Sequence, residues 1–156
     1  MDFTALGTVT ISLYKKCFLG KKNYFIHREQ MERTVIAGTL SKYSMGRSVG
    51  IKPQNWKSRY FKLTTQHFTI FDSSETSPVL FECPLSAISL VFAQPTPEIH
   101  KECKSSSVML MFGVRLFENG VFTLLMQASN QEEKARWVQA LADTIKEKSK
   151  GFQLVE

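Results

Sequence analysis

The chain has 156 residues, a length that suits one compact domain with some residues left over. Hydrophobic residues make up 43% and charged residues 22%, a globular balance that excludes global disorder. The net charge of +6 is uneven, because residues 1–62 carry twelve Lys and Arg against three acids (+9), whereas residues 63–156 carry eight against eleven (−3). This polarity predicts a basic face for an anionic partner, whether phosphate-rich lipid, nucleic acid or an acidic protein.

Residues 1–34 mix lysines with aromatic residues, and we expect an N-terminal extension that packs on the domain or belongs to a neighbouring one. A membrane-interface segment would show the same mixture. From residue 35 onward, alternating apolar and polar residues predict seven short strands separated by turn and loop sequences. The predicted strands are Val35–Tyr43, Trp56–Thr64, His67–Asp72, Val79–Cys83, Ile88–Ala93, Val108–Arg115 and Val121–Ala128.

A helix is predicted over 131–148, near the end of the chain. Asn130 is a good N-cap, and Glu133 lies where a capping box needs an acid. One face of this helix is apolar, and Trp137 on that face is predicted to be a structural core residue. Residues 150–156, after the helix, are expected to be a tail. Seven strands and one amphipathic helix predict a mainly β fold, a bent antiparallel sandwich or barrel whose open end the helix covers.

Positive side chains are predicted to converge at the hairpin of the first two strands. The face of the first strand that carries Leu40 ends in Lys42, beside a long loop. The matching face of the second strand begins with Lys57 and Arg59 and then becomes apolar. Like charges held together need a counter-ion, and a multiply charged phosphate head group is the natural one. The predicted ligand-binding residues, two of them in the loop, are Lys42, Arg47, Lys52, Lys57 and Arg59.

These motifs, in this order, resemble a pleckstrin homology (PH) domain. Gly38–Lys42 (GTLSK) is similar to the first strand of that family, and Trp56–Leu63 (WKSRYFKL) is similar to the second. Asn130–Leu141 (NQEEKARWVQAL) looks like the C-terminal helix, with Trp137 at the position of the family's helix tryptophan. The resemblance covers residues 35–149 and implies a seven-stranded bent sandwich capped by that helix.

The resemblance also implies a phosphoinositide site. The family's motif is a lysine in the first strand, matched by Lys42, and basic-x-Arg followed by two hydrophobic residues in the second, matched by Lys57 and Arg59. Two features depart from the pattern of tight binders. Ile70 stands where these often have a phosphate-binding tyrosine, and residues 63–100 contain no Lys or Arg.

We therefore predict a membrane-targeting module that binds phosphoinositide head groups of an anionic membrane; the alternative is a PH-fold protein-interaction module of a signalling protein, with weak or no lipid binding. No enzyme is expected, because the chain has no G-x-S-x-G, P-loop or H-E-x-x-H motif. No cofactor or metal is expected, because the single H-x-x-C pair, His100 and Cys103, has no second pair at ligand spacing. No nucleic acid is expected, because the aromatic residues alternate as core residues do.

The predicted location is the cytoplasm, peripheral at the cytosolic face of a membrane. The longest apolar run, Val108 to Val114, is too short to span a bilayer, and the first ten residues lack the pattern of a secretory signal. The three cysteines, Cys17, Cys83 and Cys103, show no paired spacing, which is typical of a reducing compartment.

Overall fold

The computed structural model describes residues 31–43, 56–99, 107–117, 121–148 and 153–155. Within these ranges the sequence forms strands that are joined by short turns, two 3₁₀ helices (Leu85–Ala87 and Val108–Leu110) and a C-terminal helix (Gln131–Lys146). The strands are β1 (Thr34–Tyr43), β2 (Trp56–Thr64), β3 (His67–Phe71), β4 (Val79–Pro84), β5 (Ile88–Phe92), β6 (Met111–Phe117), β7 (Val121–Gln127) and β8 (Gln153–Val155). The predicted long loop after β1 and most of the predicted N-terminal extension lie outside the described residues.

The described strands form one open sheet in the order β4-β3-β2-β1-β7-β6-β5-β8. This arrangement confirms the predicted class, a mainly β fold with a C-terminal helix. The predicted number of seven strands is wrong for the described chain, because Gln153–Val155, in the predicted tail, pairs with β5 as an eighth strand. That pairing is parallel, whereas the other pairings in the sheet are antiparallel. Three residues are too few for alternation to reveal a strand.

The larger hydrophobic core lies between the sheet and the C-terminal helix, and a smaller buried cluster is formed by Tyr43, Phe92, Met111 and Leu125. Along β2, side chains alternate between the two faces of the sheet, and Phe61 and Leu63 on the inner face have no exposed surface. Trp137 on the helix is 2% exposed, and its ring meets that of Phe61 edge-on at 6.3 Å between centroids. Its indole also lies 3.9 Å from the position that a Cβ would occupy on Gly38 of β1. The helix therefore covers the inner face of the first hairpin.

The start of the C-terminal helix is fixed by the residues that the sequence indicates. The Asn130 side chain accepts a hydrogen bond from the backbone N–H of Glu133 at 2.8 Å. Glu133 in turn accepts from the backbone N–H of Ser129 at 2.7 Å, one residue earlier than in a standard capping box. In the described part of the chain, no helix is both long and apolar enough to cross a bilayer.

In the other half of the sheet, the close packing of β5 against β6 requires a glycine at position 113. A Cβ built on Gly113 of β6 would lie 2.4 Å from the Leu124 carbonyl oxygen and 2.4 Å from the ring carbon Cζ of Phe92. Gly113 therefore allows the Phe92 ring to lie directly against the backbone of β6. The strand itself starts later than the predicted Val108, because residues 108–110 form a 3₁₀ turn before Met111.

Candidate functional site

Three of the five predicted site residues lie on one face of the β1–β2 hairpin. The register of the two strands pairs Lys42 with Lys57 and Leu40 with Arg59. Side chains on one strand alternate between faces, so Lys57 and Arg59 share the inner face with the buried Phe61. We call Lys42, Lys57 and Arg59 the cationic cluster. It lies at the end of the hairpin that leads into residues 44–55, while the other end of the same face is core.

Burial and repulsion both act on Lys42. Its side chain is only partly exposed, whereas Lys57 beside it is exposed. Burial lowers the pKa of Lys42 below its ordinary value of 10.5, and the positive charges of Arg59 and Lys57 lower this pKa further. The fold therefore holds Lys42 where a positive charge is disfavoured. An anion bound at this position would reverse that effect.

Arg59 already has an acidic neighbour, Asp72. The Arg59 Nη1 atom lies 3.3 Å from the Asp72 carboxylate oxygen Oδ1. The same nitrogen donates hydrogen bonds to the backbone carbonyl oxygens of Ser58, at 2.9 Å, and of Asp72, at 3.3 Å. The side chains of Arg59 and Asp72 are 22% and 52% exposed, so this pair is at the surface of the site and not within the core.

Asp72 is not among the predicted site residues, although the sequence contains a signal for it. Thr65 and Gln66 form a two-residue turn between β2 and β3, and the observed register pairs Tyr60 with Phe71. Counting outward from such a turn places each residue of one strand opposite a defined residue of the other. One step beyond the Tyr60–Phe71 pair, the count places Arg59 opposite Asp72.

The loop between β3 and β4, which begins at Asp72, is held firmly. The Asp72 backbone N–H donates to the Pro78 carbonyl oxygen at 3.1 Å. The Ser77 hydroxyl oxygen accepts from the backbone N–H groups of Ser73 and Ser74, both at 3.0 Å. A second ion pair, between Lys62 and Glu75, fixes the loop to the outer face of β2. The Asp72 backbone is therefore held beside the cationic cluster by its own loop.

The other two predicted site residues, Arg47 and Lys52, lie outside the described residues, as do His100 and Cys103. A separate cavity of about 310 Å³ lies along the hairpin, lined in part by Thr39, Ser41 and Ser58. These three residues alternate with the cationic cluster along β1 and β2, so they belong to the outer face. The cavity lining that the structure describes contains no Lys or Arg.

Comparisons with known proteins identify the same fold. A family model described as "PH domain" matches residues 34–146. No curated protein matches the chain. Among solved structures, the PH domain of human pleckstrin homology domain-containing protein family A member 5 is 20% identical, with a TM-score of 0.54 over 85% of this chain and 92% of that one.

Two further structures are complexes with inositol phosphates. The Slm1 PH domain with inositol-4-phosphate is 15% identical, with a TM-score of 0.52 over 72% of this chain and 96% of that one. The C-terminal PH domain of pleckstrin with D-myo-Ins(1,2,3,5,6)P5 is 18% identical, with a TM-score of 0.53 over 72% and 95%. At these identities the similarity establishes the shared fold.

Proposed function

Since this chain belongs to the pleckstrin homology domain family, whose model covers residues 34–146, we propose that it is a non-catalytic module that binds the phosphorylated head groups of phosphoinositides. Binding would bring the protein to the cytosolic face of a membrane as a peripheral protein. The observation that carries this proposal is the cationic cluster. Lys42 and Lys57 are directly paired across two strands, with Arg59 on the same face.

The cluster has a cost in the unliganded protein. Like charges directly opposite each other on a sheet are destabilising, and burial adds a penalty at Lys42. A phosphate group would supply the opposite charge at the point where the two lysines meet. Arg59 is suited to a bidentate phosphate contact, whereas Lys42 and Lys57 act as point charges. Two proteins of the same fold are seen with inositol phosphates, which supports this ligand class.

The size of the electrostatic contribution from the basic side chains indicates a reversible association with the membrane. Near an anionic leaflet, each basic side chain contributes about 1 kcal/mol. The five predicted site residues together would contribute about 5 kcal/mol, which corresponds to sub-millimolar affinity. Stable attachment therefore requires specific phosphate contacts or a second membrane-binding module in the same protein.

Vesicle sedimentation tests the proposal. Wild-type protein is compared on phosphatidylcholine vesicles that contain a phosphatidylinositol bisphosphate and on vesicles with the same surface charge from phosphatidylserine. A soluble inositol trisphosphate added as competitor separates head-group recognition from attraction to the lipid surface. We expect binding to rise with phosphoinositide content and to fall with salt.

The decisive variant is Arg59→Ala, with Lys62→Ala as the matched control. Both residues lie on β2, but Lys62 points to the outer face, where it pairs with Glu75. Arg59→Ala should weaken phosphoinositide binding about tenfold or more, because it removes a charge-assisted contact. Lys62→Ala should have a much smaller effect. Equal affinities for wild type and Arg59→Ala, with both proteins folded by circular dichroism, would contradict the proposed site.

A second candidate function, protein binding, is favoured by an apolar row on the outer face of the sheet. The rings of Tyr60 and Phe71 meet edge-on at 6.1 Å, and Val79 pairs with Phe71 on the next strand. Val79 and its neighbour Leu80 are 54% and 52% exposed. They lie on β4, at one end of the described sheet, and exposed apolar residues on such a strand are typical of an interaction surface. Wild-type protein that shows no preference for phosphoinositide vesicles would favour this function.

A further inference from the structure

The cationic cluster has an acidic neighbour, Asp72, which competes with a bound anion for Arg59. We propose that the Asp72 carboxylate acts as an internal counter-ion of Arg59 and sets an affinity threshold, so that only ligands with clustered phosphate charges bind. This inference rests on the proposed function and adds a specificity-determining residue to it. An anion that takes over the Nη1 atom of Arg59 and reaches no other cation would have to replace Asp72, whereas one that also reaches Lys42 and Lys57 would gain contacts that Asp72 does not make.

Arg59 already contacts oxygen atoms of the protein. Its Nη1 atom is bound by three oxygen atoms, which are the carbonyl oxygens of Ser58 and Asp72 and the Asp72 carboxylate oxygen. A ligand phosphate that takes over this nitrogen must therefore exchange with an existing charge-assisted contact. A phosphodiester carries a single negative charge, as the Asp72 carboxylate does, so exchanging one for the other at Arg59 alone brings little net gain.

The remaining members of the cluster, Lys42 and Lys57, lie side by side. The register pairs Lys42 with Lys57. This pair lies two residue pairs beyond Arg59, toward residues 44–55. Among the residues that the structure describes, neither lysine forms an ion pair with an acidic side chain. A head group that bridges these lysines and Arg59 would therefore need several phosphates, since a single one would leave part of the cluster unmatched. Phosphomonoester groups match the cluster better than phosphodiesters do, because each carries more than one negative charge at neutral pH.

The backbone of Asp72 is held in place beside Arg59. Its backbone N–H is bound to Pro78, and its loop is braced by the Ser77 hydroxyl, which accepts from the backbone N–H groups of Ser73 and Ser74. A carboxylate kept near Arg59 by this backbone lowers the affinity of the cluster for every anion that enters. Because Asp72 lowers the affinity of the cluster, binding is measurable only for ligands that make several contacts. Asp72 sets the affinity threshold in this way.

The loop also offers a matched control. Asp72→Asn and Glu75→Gln each remove one negative charge from the same loop, and each breaks one ion pair to β2. Only Asp72 touches the cationic cluster, because Glu75 is bound to Lys62 on the outer face. A difference between the two variants therefore reports the position of the charge and not the net charge of the protein.

The experiment measures binding of the full chain to vesicles that contain phosphatidylinositol bisphosphate and to charge-matched phosphatidylserine vesicles. Asp72→Asn should tighten binding to the first about five- to tenfold and should bring binding to the second into the measurable range. Glu75→Gln should change either affinity by less than about twofold. In the Arg59→Gln background, Asp72→Asn should lose most of its effect, because the two residues act on each other.

Each outcome has a definite meaning. Equal effects of Asp72→Asn and Glu75→Gln would overturn the inference, since net charge alone would then explain the gain. An unchanged affinity in Asp72→Asn, while Arg59→Gln still weakens binding, would overturn the inference and leave the proposed function intact. If the Arg59→Gln variant binds as tightly as wild type, the inference and the proposed function are both overturned. Should wild type bind no vesicle, binding by Asp72→Asn alone would support the threshold, and its absence would overturn both.

Discussion

Replacing Lys42 by methionine should make the domain more stable and at the same time less able to bind its ligand. The register pairs Lys42 directly with Lys57 on the inner face of the hairpin. A like-charged pair at directly opposite positions costs a sheet roughly 0.2–1 kcal/mol. Arg59 adds a further repulsion, and its positive charge lowers the pKa of Lys42 more than that of Lys57 does. Methionine keeps an unbranched apolar stem, so the packing of the partly buried side chain is retained.

From these effects we expect Lys42→Met to raise the free energy of unfolding by about 0.5–1 kcal/mol and the melting temperature by roughly 2–5 °C. Thermal unfolding followed by circular dichroism measures this change. In the vesicle assay, the same variant should bind phosphoinositide about tenfold or more weakly, since a charged hydrogen-bond donor is lost. Lys62→Met is the control on the outer face, and it should not gain stability because Lys62 has an acidic partner.

The pH dependence of the same pair of proteins gives a further check on the cause. Because the folded state lowers the pKa of Lys42, the unfolded chain binds more protons between that lowered pKa and the ordinary value of 10.5. Wild-type stability therefore gains from Lys42 as pH rises through this window, and the penalty is fully present below it. The stability difference between Lys42→Met and wild type should accordingly be largest near neutral pH and shrink in alkaline solution. A variant less stable than wild type at neutral pH would refute the reasoning, since the charge of Lys42 would then be compensated.

Two further predictions concern the core. Trp137→Ala should destabilise the domain by about 3–5 kcal/mol, because the indole is 2% exposed and packs against Phe61; a melting temperature close to that of wild type would show that the helix does not depend on this side chain. Gly113→Ala should cost about 1–3 kcal/mol in denaturant unfolding, because its Cβ would meet the Leu124 carbonyl oxygen and the Phe92 ring at 2.4 Å. Restoration of stability by a second change, Phe92→Leu, would identify the ring as the obstacle, whereas an unaffected Gly113→Ala protein would contradict the close packing.

The first hairpin could be predicted from the sequence because two signals agree there. Residues 56–64 alternate strongly, and the observed strand β2, Trp56–Thr64, has the predicted bounds. The alternation also fixes which cations share a face with the core, since a shift by one residue would expose Phe61 and Leu63. The roles of the site residues in ligand binding stay a prediction.

Other features depend on contacts that a local pattern does not report. β8 exists because β5 offers a sheet edge, and the Ala93 backbone N–H donates to the Val155 carbonyl oxygen at 2.9 Å. Lys134 is 8% exposed although lysine usually lies at the surface, because its Nζ donates to the Met109 carbonyl oxygen at 2.7 Å. Its spacing of three residues before Trp137 places it on the apolar face of the helix, but the carbonyl oxygen that satisfies its charge lies 25 residues away in the chain.

The central proposal is that a phosphorylated head group binds at the cationic cluster. A titration of the isotope-labelled chain with a soluble inositol trisphosphate, followed by two-dimensional NMR, tests this most directly. We predict that the largest shift changes fall on the backbone amides of Lys42, Lys57 and Arg59 and on the Arg59 side chain. Changes confined to the outer face, at Thr39 and Tyr60, or no change at millimolar ligand, would contradict it.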